Sequence, residues 1–548
     1  MSFTGLIRNA ALRCLLPALL PAMVVAAPIQ TAPVEFRTLP AEGASSEAAV
    51  AVLRTSASRM APVPTTLADV ETWSEALTNT LRRNGFPVGQ VLMTEEAWQA
   101  TRQGQTPLFT VFPGRISGIR LDNQTRMKDA PLNRLATKAM CGTEPVAGTC
   151  LLQTARLERT TQLLQDLPGV AIGKAPEFSP GAGVGDIDVL FTLVEQGKPF
   201  TGDVFFDNKG IESTGLVQLG VTASGNNFLG MGESYALTLT GTEKRMWTGS
   251  LTGSVPVFDD GLRLTAGFTR QQYSINAATR LTGVANTAQA GLRYPITRGL
   301  DSNIWIGGSY LHSWTKVEFP ILGSAAHSTL DALRVSLQAN NGDRAQQLRS
   351  NIWSGEVALT AGHQSNDNTF YNAVTQVAGN YAKLTGSGFG TYGLNWGGDL
   401  FLMGQFNGQY ASKNLDPSEK LGVGGPNAVR AYRADEGSFD DGVIVKAGLY
   451  KRIPVATGHQ IQLGVFSDFA VGRVNHNPWN GWASSYVGIH DISNRRVLSG
   501  YGVGIDWLTP FGATLSASVS KAYGFASASW VDRGNKPVQY WLSLTWGR

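Results

Sequence analysis

From about residue 200 to the C-terminus the chain alternates apolar with polar residues, and no other feature restricts its fold so strongly. Leu262, Leu264, Ala266 and Phe268 alternate with Arg263, Thr265, Gly267 and Thr269, and Ile461, Leu463 and Val465 with Gln462, Gly464 and Phe466. Successive side chains of a strand point to opposite faces, so a period of two gives each strand one apolar and one polar face. Segments of about ten such residues between Gly, Asn, Asp and Ser turns are the pattern of a transmembrane β-barrel, apolar toward lipid and polar toward the lumen. The 349 residues from 200 to 548, shared among sixteen strands, allow about 22 each, enough for a spanning strand of ~9–11 residues and its connection. A soluble sandwich or propeller also alternates. Against it stand the many strands without a blade repeat, the alternation of Tyr540, Leu542, Leu544 and Trp546 at the chain's end, and aromatics near strand ends. Trp247, Tyr273, Tyr294, Trp314 and Trp507 lie where interface girdles belong.

Composition agrees. Charged residues make up 16% of the 548, against roughly 25% in an average domain, and 63 are glycine. The 43% hydrophobic fraction buries too much surface for a disordered chain. Past the N-terminus no run approaches the ~18–20 apolar residues a spanning helix needs, which excludes a helical membrane bundle.

Residues 1–27 read as a secretory signal, with Arg8 and Arg13 before an apolar stretch and a small-residue cleavage site around Val25, Ala26 and Ala27. A membrane anchor needs a longer run, and lipoprotein processing at Cys14 conflicts with Arg13. Without Arg8 and Arg13, 43 of the 45 basic residues remain against 41 acidic ones, and this balance argues against a nucleic-acid partner. Cys141 and Cys150, close together in an exported chain, read as a local structural disulfide, with two free thiols as the alternative.

Between about 33 and 199 the pattern mixes helix and strand. Helical spacing covers Glu47–Met60, Leu67–Asn84 and Thr154–Leu167. Short strands read at Val88–Met93, Leu108–Phe112, Arg115–Leu121, Val170–Lys174 and Asp186–Glu195. Each half has room for two helices and about three strands, so we read two small α+β modules, 33–114 and 115–199.

A signal, two α+β modules and a sixteen-stranded antiparallel barrel together resemble the two-partner secretion transporters of Gram-negative outer membranes, the haemolysin-activator type within the superfamily of polypeptide-transporting barrels. The modules look like POTRA domains. Leu163-Leu164-Gln165-Asp166-Leu167-Pro168-Gly169-Val170 is similar to the second-module helix and strand of that family, and Asp207-Asn208-Lys209-Gly210 to its barrel opening. For Asp207 and Asn208 an ordinary turn is the competing reading. The most specific match is Gly424-Gly425-Pro426-Asn427-Ala428-Val429-Arg430-Ala431-Tyr432, between strands read at Asp399–Ser412 and Gly442–Ile453. In the family this is the tip of a long loop, here about 413–441, that folds back into the pore. Its arginine contacts an aspartate of a Phe-x-Asp motif on the barrel wall, for which Phe466-Ser467-Asp468 fits. The resemblance therefore implies that Val429, Arg430, Ala431 and Tyr432 form the pore-loop tip with Asp468 as wall partner. An isolated Val-Arg-x-Tyr would be a plain surface loop.

Three departures stand out. Ala431 replaces the family's glycine, so either positive φ is not needed there or strain is tolerated. Trp546 is followed by Gly547 and Arg548, which weakens the C-terminal signal read by the barrel-assembly machinery. The short segment 28–32 leaves no room for the plug helix that many relatives carry.

The resemblance implies a transporter in the outer membrane, its modules in the periplasm, that secretes an unfolded exoprotein of adhesin or haemolysin type. Its other partners would be outer-membrane lipid and the assembly machinery. An insertase for other barrels is the alternative, and a bare solute porin a more distant one. We expect no catalysis, no cofactor and no metal. Gly388-Phe389-Gly390-Thr391-Tyr392-Gly393 formally matches a dinucleotide-binding pattern but lies in alternating sequence without the helix that would receive a pyrophosphate. The six histidines show no metal spacing.

Overall fold

The computed structural model describes residues 34–39, 43–60, 62–257, 259–275, 281–320, 323–342, 351–395, 397–483, 492–523, 527, 529–531 and 538–547. The expected signal, Cys14 and the segment expected to lack a plug helix lie outside the described residues.

Two compact units divide the chain near Arg115. The first contains β1 (Glu35–Thr38), α1 (Ala44–Ala57), α2 (Leu67–Arg83), β2 (Gln90–Leu92), α3 (Glu95–Arg102) and β3 (Leu108–Phe112), with sheet order β1-β3-β2. Helix α2 buries Val70, Trp73, Leu77 and Leu81, and Trp73 stacks on Phe109 of the sheet at 6.2 Å. A capping box starts it: Thr66 accepts from Asp69 N–H, and the Asp69 carboxylate accepts from Thr66 N–H at 2.9 Å. The sequence reading lacks α3, which buries only Trp98 and is too short to show a period.

The second unit opens with β4 (Arg115–Gln124), α4 (Asp129–Cys141), α5 (Thr154–Gln165), β5 (Val170–Pro180) and β6 (Asp186–Glu195), in sheet order β4-β6-β5. Helix α4 was hidden by Pro131, which the first turn of a helix tolerates. Cys141 and Cys150 form a disulfide that ties the end of α4 to the approach to α5.

Sixteen strands then close into one antiparallel barrel. They are β7 (Phe200–Asp207), β8 (Gln218–Asn226), β9 (Ser234–Thr242), β10 (Trp247–Pro256), β11 (Arg263–Ile275), β12 (Leu281–Arg298), β13 (Asn303–Phe319), β14 (Ser324–Asn340), β15 (Trp353–Asn366), β16 (Gly379–Gly393) and β17 (Leu400–Ala411). After a hairpin of β18 (Leu421–Gly422) and β19 (Ser438–Phe439) come β20 (Asp441–Ala456), β21 (His459–Arg473), β22 (Arg495–Leu508), β23 (Ala513–Ala522) and β24 (Val538–Gly547). The closed barrel is the one the alternation predicts. Leu333, Val335 and Leu337 are half-exposed on its outer face, as are Leu463 and Val465, while Arg334, Ser336 and Gln338 face inward. Tyr273 departs from the girdle reading: it shares the inward row with Arg263 and Gln271, and its ring covers Gly283. The glycine pattern at 388–393 is strand β16.

Seam and module contacts orient the barrel. β24 pairs with β7 over Ser543–Gly547 and Asp203–Asp207. Asn208 adds a side-chain rung, donating to Tyr540 C=O at 2.9 Å and accepting from Leu542 N–H at 2.8 Å. At the end where the chain enters, α4 and α5 lie on the strand-connecting turns. Arg298 grips Asp166 with two bonds of 2.7 and 2.8 Å, and Arg134 meets Asp259 at 3.1 Å.

Candidate functional site

The chain between β17 and β20 folds inward, and its own backbone shapes the tip. Gly425 has φ +88°, a left-handed conformation that suits glycine. A Cβ on Gly424 would lie 1.9 Å from the Arg433 carbonyl oxygen, so no side chain fits there. The turn is closed by Gly425 N–H to Tyr432 C=O at 2.9 Å and Val429 N–H to Val423 C=O at 3.1 Å. Val423, Ala428, Val429, Ala431 and Tyr432 then pack with Ile444, Ala470, Leu498 and Ala522 of the inner wall. The loop tip thus carries a small apolar core of its own inside a polar lumen.

Arg430 projects from that tip onto β21. Its Nη2 and Nε donate to the two Asp468 oxygens at 2.7 Å each, and its backbone N–H donates to Oδ2 at 3.0 Å. The Asp468 side chain is fully buried and that of Arg430 is 14% exposed. The guanidinium also lies flat on Phe466, 3.3 Å from the ring centroid. Phe466 and Asp468 are two residues apart on one strand and so share its inward face. Ser520 and Trp541 donate to the Arg430 carbonyl at 2.6 and 2.8 Å, fixing the same residue from β23 and β24. A buried charge pair of this kind is costly to break, because either partner left alone is an uncompensated charge.

Ala431 is absent from the residues at positive φ, so its backbone does not require glycine. Asp207 caps a local turn, accepting from Lys209 N–H at 2.9 Å. Gly210 lies against the Gly215 carbonyl, where a Cβ would be 2.0 Å away. Asp207, Asn208 and Gly210 therefore serve the closing seam and its turn, at a distance in sequence and role from the Arg430 contact.

A second anchor escaped the sequence reading. Arg496 of β22 donates from Nη2 to Glu436 Oε1 at 2.6 Å and from Nη1 to the Glu436 carbonyl at 3.0 Å, and both side chains are fully buried. Ser529 and the Trp530 N–H donate to the same carboxylate at 2.7 and 2.8 Å, and Trp530 stacks on Arg496 at 3.8 Å. Tyr432 donates to Ser527 C=O at 3.0 Å. Outside these, Lys420 reaches Asp440 at 3.2 Å and Lys383 reaches Glu419 at 2.8 Å. Glu436 and Arg496 stand sixty residues apart, and nothing local marks either as a partner of the other.

A family model described as haemolysin secretion/activation protein ShlB/FhaC/HecB matches residues 185–505. The chain belongs to this family. It is an outer-membrane transporter of the two-partner secretion type, which exports a partner protein. The heme/hemopexin transporter protein HuxB of Haemophilus influenzae (strain 86-028NP) is 21% identical to the transporter over 501 residues, 87% of this chain and 80% of the relative. The outer membrane transporter CdiB of Dickeya dadantii (strain 3937) is 24% identical over 348 residues, 59% of this chain and 56% of the relative. Among solved structures, CdiB from Escherichia coli superposes with a TM-score of 0.69 at 16% identity, covering 97% of the transporter and 93% of that chain. At that identity the likeness concerns the fold alone.

Proposed function

We propose that the transporter secretes an unfolded exoprotein of adhesin or haemolysin type, and that the loop bearing Arg430 gates the passage. The observation that carries the gate is the bidentate Arg430–Asp468 pair, seated in the lumen on Phe466. In the resting state it holds the loop across the pore, and transport requires the loop to shift or the wall to yield around it.

The two α+β modules, 33–114 and 115–199, act as periplasmic POTRA domains. An extended client adds as a strand to an open sheet edge, through main-chain hydrogen bonds that demand little of its sequence. The barrel then supplies a polar route, since unpaired backbone does not cross hydrocarbon. Refolding outside makes export one-way. No step needs catalysis or a cofactor. The apolar outer wall contacts outer-membrane lipid, and the assembly machinery inserts the barrel.

Comparison of secreted and outer-membrane proteomes with and without the gene tests this reading. Loss of one or two large exoproteins, with other barrels at normal levels, is the expected result and names the client. General depletion of outer-membrane barrels would make the transporter an insertase instead.

A further inference from the structure

Arg263 of β11 and Arg293 of β12 stand directly opposite one another in register, on the inward row at the module end of the barrel. Like charges so placed destabilise a strand pair. Among the described residues neither guanidinium forms an ion pair with a carboxylate. Arg263 donates to Ser254 Oγ at 2.9 Å and to the Gly232 carbonyl at 3.1 Å, and Arg293 lies over the Trp305 ring at 4.5 Å. The nearby acids are already engaged: Asp166 by Arg298, Asp259 by Arg134, and buried Glu233, close to Arg263, by the Leu229 and Met231 N–H groups. Opposed arginines without a direct ion-pair partner depart from a local rule, and such departures concentrate at functional sites.

Two cavities meet at Arg293. One, of about 420 Å³, lies between the second module and the barrel turns. Leu163, Leu167 and Met231 give it an apolar side, and Lys128, Arg263 and Arg293 a basic one, with the engaged Asp166 and Asp259 also on its wall. The other, of about 360 Å³, lies in the lumen beside Gln338, Gln405 and Asn407. Arg293 and Trp305 line both. The single carboxylate bordering the lumenal cavity, Glu356, is held by Arg334 and Gln338. Arg293 thus stands where the module-side cavity meets the lumen, with Arg263 beside it, and among the described residues neither has a direct ion-pair partner.

We propose that Arg263 and Arg293 form an entry site for acidic side chains of an extended polypeptide passing from the second module into the barrel. A carboxylate between the two guanidinium groups removes their repulsion and accepts charge-assisted hydrogen bonds. Apolar neighbours of that acidic residue occupy the Leu163, Leu167 and Met231 side. Exposure of Arg293 to the lumen keeps the contact salt-sensitive and releasable. This inference rests on the transport reading and is independent of the Arg430 gate.

The test is binding of a fluorescein-labelled Glu/Gly decapeptide to the detergent-solubilised full chain, read by anisotropy, with a Gln/Gly decapeptide as control. The Glu/Gly peptide should bind and the control should not. R263Q/R293Q should weaken binding by at least about tenfold, the loss expected for removed charge-assisted bonds, and R263K/R293K should fall between. Wild-type failure to bind, or equal binding by the double variant, overturns the proposal. Inorganic phosphate that displaces the peptide at equal charge concentration also overturns it, because the site would then hold free anions. Anisotropy measures no current, so failure of the Arg430 gate would leave this result unaffected. Heat-modifiable electrophoretic mobility shows whether each variant forms its barrel, and the lysine pair decides should the glutamine pair not fold.

Discussion

The methyl group of Ala431 occupies space left open by Gly500. Gly500 lies directly opposite Asp468 in the β21–β22 register, and a Cβ there would fall 2.3 Å from the Ala431 Cβ. The loop tip is thus fitted to the wall at the residue beside the Arg430 anchor.

That fit predicts a compensating pair. Gly500→Ala should push the tip off β22, raise the open probability in planar bilayers and lower the temperature of heat modification, since overpacking typically costs about 1–3 kcal/mol. Adding Ala431→Gly should restore both. If G500A alone behaves as wild type, the tip does not rest on that wall.

The Glu436–Arg496 pair should be the most damaging to halve. Glu436→Ala leaves Arg496 buried without its carboxylate, a loss of about 3–5 kcal/mol in comparable pairs. Replacing both residues by apolar ones should cost less than either single change. Urea unfolding of the purified barrel, read by near-UV circular dichroism, checks the order of the three variants.

In the first module the Asp69 carboxylate accepts from Thr65 N–H, Thr66 N–H and the Thr65 hydroxyl, and hydrogen bonds from these two threonines hold its pKa below the ordinary 3.8. A depressed carboxyl stabilises the fold above its unfolded-state pKa, and the contribution is lost as pH falls through the lower folded value. Hydrogen-exchange protection in α2 of the full chain, corrected for the intrinsic rate at each pH, should therefore fall below about pH 4. Asp69→Ala should exchange faster at neutral pH and lose that acid dependence. A wild-type profile in D69A would show that the capping box does not set the stability of this helix.

What could be read from the sequence followed from what is contiguous in it. The barrel was legible because alternation is a local property, whereas the Arg430 tip was named through its resemblance to a family motif whose residues lie within nine positions. Phe466 and Asp468 were named through the same resemblance, as a Phe-x-Asp motif. By contrast, Trp530 and Arg496 meet Glu436 only through the closed barrel, and the opposition of Arg263 to Arg293 needs the register of two strands. Tyr273 was assigned to the outer girdle from its place near a strand end, although the parity of β11 turns it inward. Helices α3 and α4 were missed because one is too short for a period and the other carries Pro131 in its first turn.

Single-channel recording of Arg430→Ala, Asp468→Ala and the exchanged pair R430D/D468R, alongside secretion of the client, tests the gate most directly. Each alanine variant should increase conductance or opening and impair secretion, and the exchange should recover part of both, short of full rescue because the arginine fork is not reproduced from the other wall. Unchanged conductance and unchanged secretion in R430A would contradict the account.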